Sequence, residues 1–321
     1  MSEIERRTFL ASLAAATMFP AVKGQQSAAI PIIDTHIHLF DPARPQGAPY
    51  TGPKNAGPPV PALPARYRAL AAPLGAVGAI KVEASPWIED NLWVLQVAQQ
   101  DPIVVGVIGN LEPEKPEFLE YLGRYRKNPL FRGIRCGNLW GRDFPAQVEM
   151  PSFIDGLKRL AEADLVMDTA NPRLSLLQAV VRATDRVPTL RVVLDHLPAL
   201  PQPETAADRA TLDTVLRELG ARPQVYVKLS SIIHNVKGTI STDLASYRAW
   251  LDRLLDVFGE NRVIFGSDWP NSDGVAPVDK VFAIAKEYFA TRPRTEAEKY
   301  FWRNSIAAYK WIRRDPSQPA L

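Results

Sequence analysis

Cysteine is nearly missing from this sequence: Cys136 is the only one, so no intrachain disulfide can form. With no activating base beside it, that thiol is expected to be buried. Blocks of consecutive lysine or arginine are also missing, and the formal net charge is only +3. Neither nucleic acid nor an anionic membrane is indicated as a partner by such a balance. The most apolar stretch near the start, Ala11 to Val22, is too short for a comfortable membrane span. Histidine is scarce, with four in 321 residues, so their positions carry information.

That apolar stretch follows Arg6-Arg7-Thr8-Phe9-Leu10. Paired arginines ahead of a short Ala-rich run read as a twin-arginine export signal over residues 1–24, with a first helix of the fold as the alternative. Export would place the mature protein in the periplasm or outside the cell, with no membrane attachment after signal removal. Because that route carries folded proteins, the lack of disulfides does not conflict with it. Residues 25–321 then read as a single domain.

Within that domain short apolar, β-branched runs alternate with amphipathic stretches. The runs are 30–38, 77–83, 103–110, 131–136, 165–169, 190–196, 225–231 and 262–268. Near-continuous apolar runs suit strands buried on both faces of a parallel sheet. Helical spacing joins Leu212, Val215, Leu216 and Leu219, and again Leu244, Tyr247, Leu251, Leu254, Leu255 and Phe258. The second of these helices has Ser241 or Thr242 as its expected N-cap and Gly259 as its stop. Eight strand–helix alternations predict an α/β fold of the (β/α)8 TIM-barrel type. A doubly wound open sheet would need a Gly-rich phosphate turn after the first strand, and none is there. The Pro- and Gly-rich segment from Asp41 to Pro64 predicts a long loop over the mouth of the barrel, and Thr295 to Trp311 predicts a C-terminal helix.

The first strand ends Asp34-Thr35-His36-Ile37-His38. Residues two apart on a strand share a face, so Asp34, His36 and His38 are expected to point together into the barrel. His196 ends another predicted strand and Asp268 ends the last one. The C-terminal ends of strands are where a TIM barrel carries its catalytic residues. Two imidazoles converging at the mouth of the barrel suit a divalent ion or a polarised carbonyl.

These residues, with Glu83-Ala84-Ser85-Pro86-Trp87, Gly133-Ile134-Arg135, Asp195-His196-Leu197, Lys228-Leu229-Ser230 and Gly266-Ser267-Asp268-Trp269-Pro270, resemble the amidohydrolase superfamily. Within it they are similar to the branch of fuconolactonase and 2-pyrone-4,6-dicarboxylate lactonase. The resemblance implies a metal-dependent-hydrolase-like barrel that opens a small lactone or related cyclic ester. It implies Asp268 as the general base for the attacking water. His36, His38 and His196 would either hold one metal ion together with Asp268, zinc foremost, or bond the substrate carbonyl without a metal. Arg135 would meet a substrate carboxylate or hydroxyl, so the substrate is expected to be small and either anionic or polyhydroxylated. The fifth strand, Leu165 to Thr169, lacks a histidine and the fourth lacks a lysine ligand, so no binuclear centre is expected.

Other residues leave two readings each. Lys81 and Glu83 form an ion pair inside the barrel, or Glu83 reaches the site. Asp168 belongs to the site or fixes a loop. His234 binds substrate or is an exposed loop histidine. Trp87, Trp140 and Trp269 form an aromatic rim or simply pack, with Trp87 the one assigned to the substrate. Two rival functions remain: a nonoxidative decarboxylase of the same superfamily, and an exported ligand-binding protein on a degenerate barrel.

Overall fold

The computed structural model of this chain describes residues 29–55 and 57–320. The expected export signal lies outside the described residues. Each of the eight apolar runs supplies one strand: β1 (Ile32–Ile37), β2 (Ala76–Lys81), β3 (Val104–Gly109), β4 (Phe131–Arg135), β5 (Val166–Asp168), β6 (Arg191–Leu194) and β7 (Val225–Lys228), then, after a small exposed hairpin of β8 (Asn235–Val236) and β9 (Thr239–Ile240), β10 (Val263–Ile264). All eight pair in parallel, in sequence order. The chain leaving β10 closes the ring on β1: Thr35 N donates to Phe265 O at 3.0 Å, Asp268 N to His36 O at 2.8 Å and His38 N to Trp269 O at 2.8 Å. The result is a (β/α)8 barrel.

Outside the strands lie α1 (Pro64–Ala71), α2 (Asp90–Gln100), α3 (Phe118–Tyr125), the single-turn α4 (Phe144–Gln147), α5 (Pro151–Glu162), α6 (Leu174–Arg186), α7 (Ala206–Gly220), α8 (Arg248–Phe258) and α9 (Val278–Ala290). Two apolar clusters follow from strands covered on both faces. An inner one fills the barrel with Ile33, Ile80, Val82, Val105, Ile108, Val166, Val193 and Ile264. An outer one packs the other strand face against the helices. None of the described helices is long and apolar enough to cross a membrane.

Local expectations are corrected at three places. α8 begins at Arg248 behind a 3-10 turn, Leu244–Ser246, that the Asp243 carboxylate caps by accepting from Ala245 N at 2.9 Å, so neither Ser241 nor Thr242 is the cap. Gly259, at φ 70°, does end α8. The tail is helical from Arg294 to Tyr309 but passes through a π turn, Lys299–Arg303, and stops before Trp311. Tyr309 and Trp311 pack into the inner cluster. β1 shifts register between Asp34 and Ile37, which breaks the two-residue alternation on which the shared face of Asp34, His36 and His38 depended.

Candidate active site

A cavity of about 520 Å³ opens where the strands end. His38 follows β1, Glu83 follows β2, Arg135 ends β4, His196 follows β6, Ser231 follows β7 and Asp268 follows β10, and all six line it. His36 is fully buried behind them, its ring 4.9 Å from that of His38 and 4.3 Å from that of His196. Only glycine at position 266 allows this approach, since a Cβ there would lie 2.8 Å from His36 Cβ. Eight described non-glycine residues have a left-handed backbone. Five of them, Trp140, Asn171, His196, Ser231 and Asp268, line the cavity. Such backbone is costly and concentrates where geometry is imposed by function.

Asp268 is the meeting point. Its Oδ1 lies 3.2 Å from His38 Nε2, 3.6 Å from His36 Nε2 and 3.8 Å from His196 Nε2. The two strand-end imidazoles face each other, Nε2 to Nε2, at 3.3 Å. Each Nδ1 is tied elsewhere: His38 Nδ1 to Val82 O at 3.1 Å, His196 Nδ1 to Ser230 Oγ at 2.8 Å and Ser231 Oγ at 3.0 Å. A carbonyl only accepts, so His38 Nδ1 carries the proton and its Nε2 presents a lone pair. Burial opposes ionisation of Asp268, but the facing imidazoles of His196, His38 and His36 outweigh it and hold the carboxyl below its usual range. Burial lowers the pKa of His196 against the pull of Asp268.

A buried ionic network stands behind His36. Lys228 Nζ lies 2.6 Å from Asp168 Oδ2, 2.9 Å from Asp195 Oδ1 and 3.2 Å from His36 Nδ1, and all four side chains are fully buried. Burial and then Lys228 push the His36 pKa well down, with Asp195 opposing. One ammonium serves two carboxylates unequally. Burial raises the pKa of Asp168, and Lys228 only partly offsets this. For Asp195 burial is overcome by Lys228, His36 and Arg135, and its pKa falls well below the usual range. Arg135 lines the cavity, but its guanidinium already meets Asp195 Oδ2 at 3.2 Å and Thr169 O at 3.0 Å.

The structure separates the residues with two readings. Glu83 reaches the cavity wall and is held by Arg142, whose Nη2 lies 2.8 and 2.9 Å from its two oxygens, not by Lys81. Lys81 is buried, with no carboxylate within ion-pair distance among the described residues; burial lowers its pKa to about 8. Asp168 belongs to the buried network and also accepts from Tyr309 Oη at 3.0 Å. Asp34 turns away from the histidines, accepting from Tyr67 Oη at 2.8 Å and Ser267 N at 2.8 Å. Trp269 is fully buried against Tyr67 and is no rim residue, whereas Trp140 lines the cavity. Trp87 lies in a different cleft beside Arg44 and Trp93. His234 stacks near Tyr247 with its Nδ1 on Ile232 O at 2.8 Å, outside the cavity lining. Cys136 is buried, as expected.

Tyr50 was not singled out in the sequence, yet the long Asp41–Pro64 segment brings its ring 5.9 Å from that of His38 and its hydroxyl to Asn271. Nothing in a Pro- and Gly-rich stretch marks one tyrosine as site-facing. Arg142 was missed because its partner, Glu83, is 59 positions away.

The donor set suits a metal site. Asp268 Oδ1 is buried without a hydrogen-bond partner, and His36, His38 and Asp268 offer ligand atoms within 4.8 Å of one another. Ligands at 2.0–2.1 Å on a tetrahedron stand about 3.3–3.4 Å apart, close to the separations among these atoms. His36, Asp195 and His196 form a second group of suitable spacing, but Asp195 is engaged by Lys228 and Arg135.

Residues 33–311 match the amidohydrolase family. A L-fucono-1,5-lactonase of Burkholderia multivorans is 30% identical over 243 residues, 72% of this chain and 80% of that protein. One of Burkholderia ambifaria is 28% identical over 251 residues, 75% of this chain and 80% of the relative. The crystal structure of a Burkholderia multivorans amidohydrolase with bound zinc superposes with a TM-score of 0.77 at 26% identity, over 88% of this chain and all of that one.

Proposed function

This chain belongs to the amidohydrolase family, and from that premise we propose that it hydrolyses a small lactone, opening the ring with a water that Asp268 deprotonates. The observation that carries the reading is the convergence of three imidazole Nε2 atoms on the orphaned Asp268 Oδ1 at the cavity wall. The two Burkholderia lactonases support a ring ester as the substrate class.

Asp268 is ionised at neutral pH, because its histidine partners outweigh its burial. Its Oδ2 accepts from Ser231 Oγ at 3.2 Å, which fixes the carboxylate plane with Oδ1 toward the imidazoles. As water attacks the carbonyl carbon, its proton passes to Asp268 and negative charge develops on the carbonyl oxygen. His196, on the cavity wall with its Nδ1 able to accept from Ser230 Oγ and its Nε2 free to donate, is placed to stabilise that charge. Collapse breaks the ring C–O bond, and the proton on Asp268 passes to the departing alkoxide. The product is the open hydroxy acid, and Asp268 is again ionised. His36, His38 and Asp268 would hold a divalent ion, which would supply polarisation of the carbonyl and greater acidity of the attacking water.

The test is a lactone panel offered to metal-quantified protein, with CO₂ release from aromatic acids assayed alongside. Ring opening of at least one lactone supports the reading. CO₂ release without lactone turnover would overturn it. We also place this chemistry outside the cytoplasm, on the strength of Arg6-Arg7 and the apolar run behind it. Replacing both arginines by lysine should retain the protein in the cytoplasm; unchanged export would refute that assignment.

A further inference from the structure

Among the described residues, the charged side chains around the cavity are engaged within the protein everywhere but at one place. Asp268 faces the imidazoles, Arg135 is paired with Asp195, and Glu83 is paired with Arg142. Arg173, at the outer edge of the same cavity, is exposed, and among the described residues its guanidinium makes no ion pair or hydrogen bond. An exposed arginine on an ordinary surface means little. This one borders a wall that is built rather than loose.

Leu139 and Trp140 from the loop after β4, and Asn171 and Pro172 from the loop after β5, make that wall. Trp140 and Asn171 both hold left-handed backbone, at φ 57° and 54°. The loops are fastened to each other and to β2. Asn171 Nδ2 donates to Asn138 O at 2.7 Å, Phe144 N donates to Asn138 Oδ1 at 3.1 Å, and Arg142 donates to Leu139 O at 3.0 Å while gripping Glu83. A large aromatic side chain, 36% exposed, is thus held on strained backbone at the cavity wall, in a preformed position.

We propose that this wall is a subsite for an anionic substituent on the substrate, with Arg173 as its cation and Trp140 as an apolar face for the attached ring or chain. The inference rests on the lactone-hydrolase reading and narrows it: the substrate class is a lactone bearing a carboxylate or comparable anion away from the ester. Arg135 would then orient from the inner end, its charge already answered by Asp195, and Arg173 would supply the charge selectivity.

The test compares lactones that differ only in one substituent, a carboxylate or its neutral carboxamide. Binding of the two corresponding lactams, which keep shape and charge, is measured in parallel by calorimetry. The wild-type protein should prefer the carboxylate by about tenfold in kcat/KM, mainly through KM, as suits a charge-assisted contact at a partly exposed site. Arg173→Gln should abolish that preference and leave the neutral lactone within about twofold, and Arg173→Lys should restore part of it. Raising the ionic strength should weaken only the charged substrate. Trp140→Ala should raise KM for both. Equal effects of Arg173→Gln on the two substrates, or no charge preference in lactam binding, would overturn the subsite and leave the hydrolase reading standing. Arg173-dependent binding of the charged lactam without turnover of any lactone would uphold the subsite and sink the hydrolase reading.

Discussion

Lys228 Nζ lies 3.2 Å from Nδ1 of His36, so the innermost histidine of the site is held from behind by a buried cation. The same ammonium pairs with Asp168 and Asp195. Lys228→Met leaves the buried Asp168 without its cation and Asp195 with Arg135 alone, and should cost about 3–5 kcal/mol of stability. Adding Asp168→Asn should recover part of the loss, because the stranded carboxylate is removed. Urea unfolding of the single and double variants measures both; a Lys228→Met protein as stable as the wild type would show that the network carries no such energy.

The Glu83–Arg142 pair makes a separable prediction. Both side chains are nearly or fully buried and bonded twice, so Arg142→Met strands a carboxylate at the cavity wall. The variant should lose about 3 kcal/mol or more of stability. It should also lose more in kcat/KM than in kcat, since the loop carrying Trp140 is released while Asp268 is untouched. Paired denaturation and steady-state measurements decide this.

Lys81 gives the pH prediction. Its folded-state pKa is lowered from 10.5 to about 8, chiefly by burial. Between those values the unfolded chain binds the extra proton, so this residue's contribution to stability rises with pH across that window. At pH 7 the buried ammonium costs the fold on the order of 3 kcal/mol. Lys81→Met should therefore be more stable than the wild type at pH 7, with the difference shrinking as pH rises through 8 toward 10.5. Unfolding curves of both proteins over that range check the sign.

The metal prediction follows from the donor set. Purified protein stripped by a chelator should rebind close to one equivalent of zinc, and His38→Asn should weaken that binding by more than about a hundredfold, beyond the effect of losing an outer-shell partner. Calorimetric zinc titration reads this directly. Equal affinity in the variant would remove His38 from the ligand set.

The sequence revealed those parts of the site that depend on residue rarity and strand position. With four histidines in the chain, three of them at predicted strand ends beside a terminal aspartate, the constellation stood out. The barrel was equally legible, because strands covered on both faces must be apolar throughout. What was hidden depended on backbone details and distant partners. The register shift in β1 turned Asp34 toward Tyr67, and no alternation rule contains it. Left-handed backbone at Trp140 and Ser231 cannot be anticipated from residue types that normally avoid it, and at Asn171, His196 and Asp268 residue type makes it only less uncommon. Trp269 resembled a rim residue by its place after a strand, yet that segment folds back against α1 and buries it.

The central claim is that Asp268 is the base, and replacing it with asparagine tests this most directly. The side chain keeps its size and its contact with Ser231 but can no longer accept a proton as a carboxylate. On the lactone that the wild type turns over best, Asp268→Asn should lower kcat by about 10²–10⁴-fold while the unfolding midpoint and the binding of the matching lactam stay close to wild type. An Asp268→Asn protein that folds, binds the lactam and opens the lactone at the wild-type rate would contradict the account.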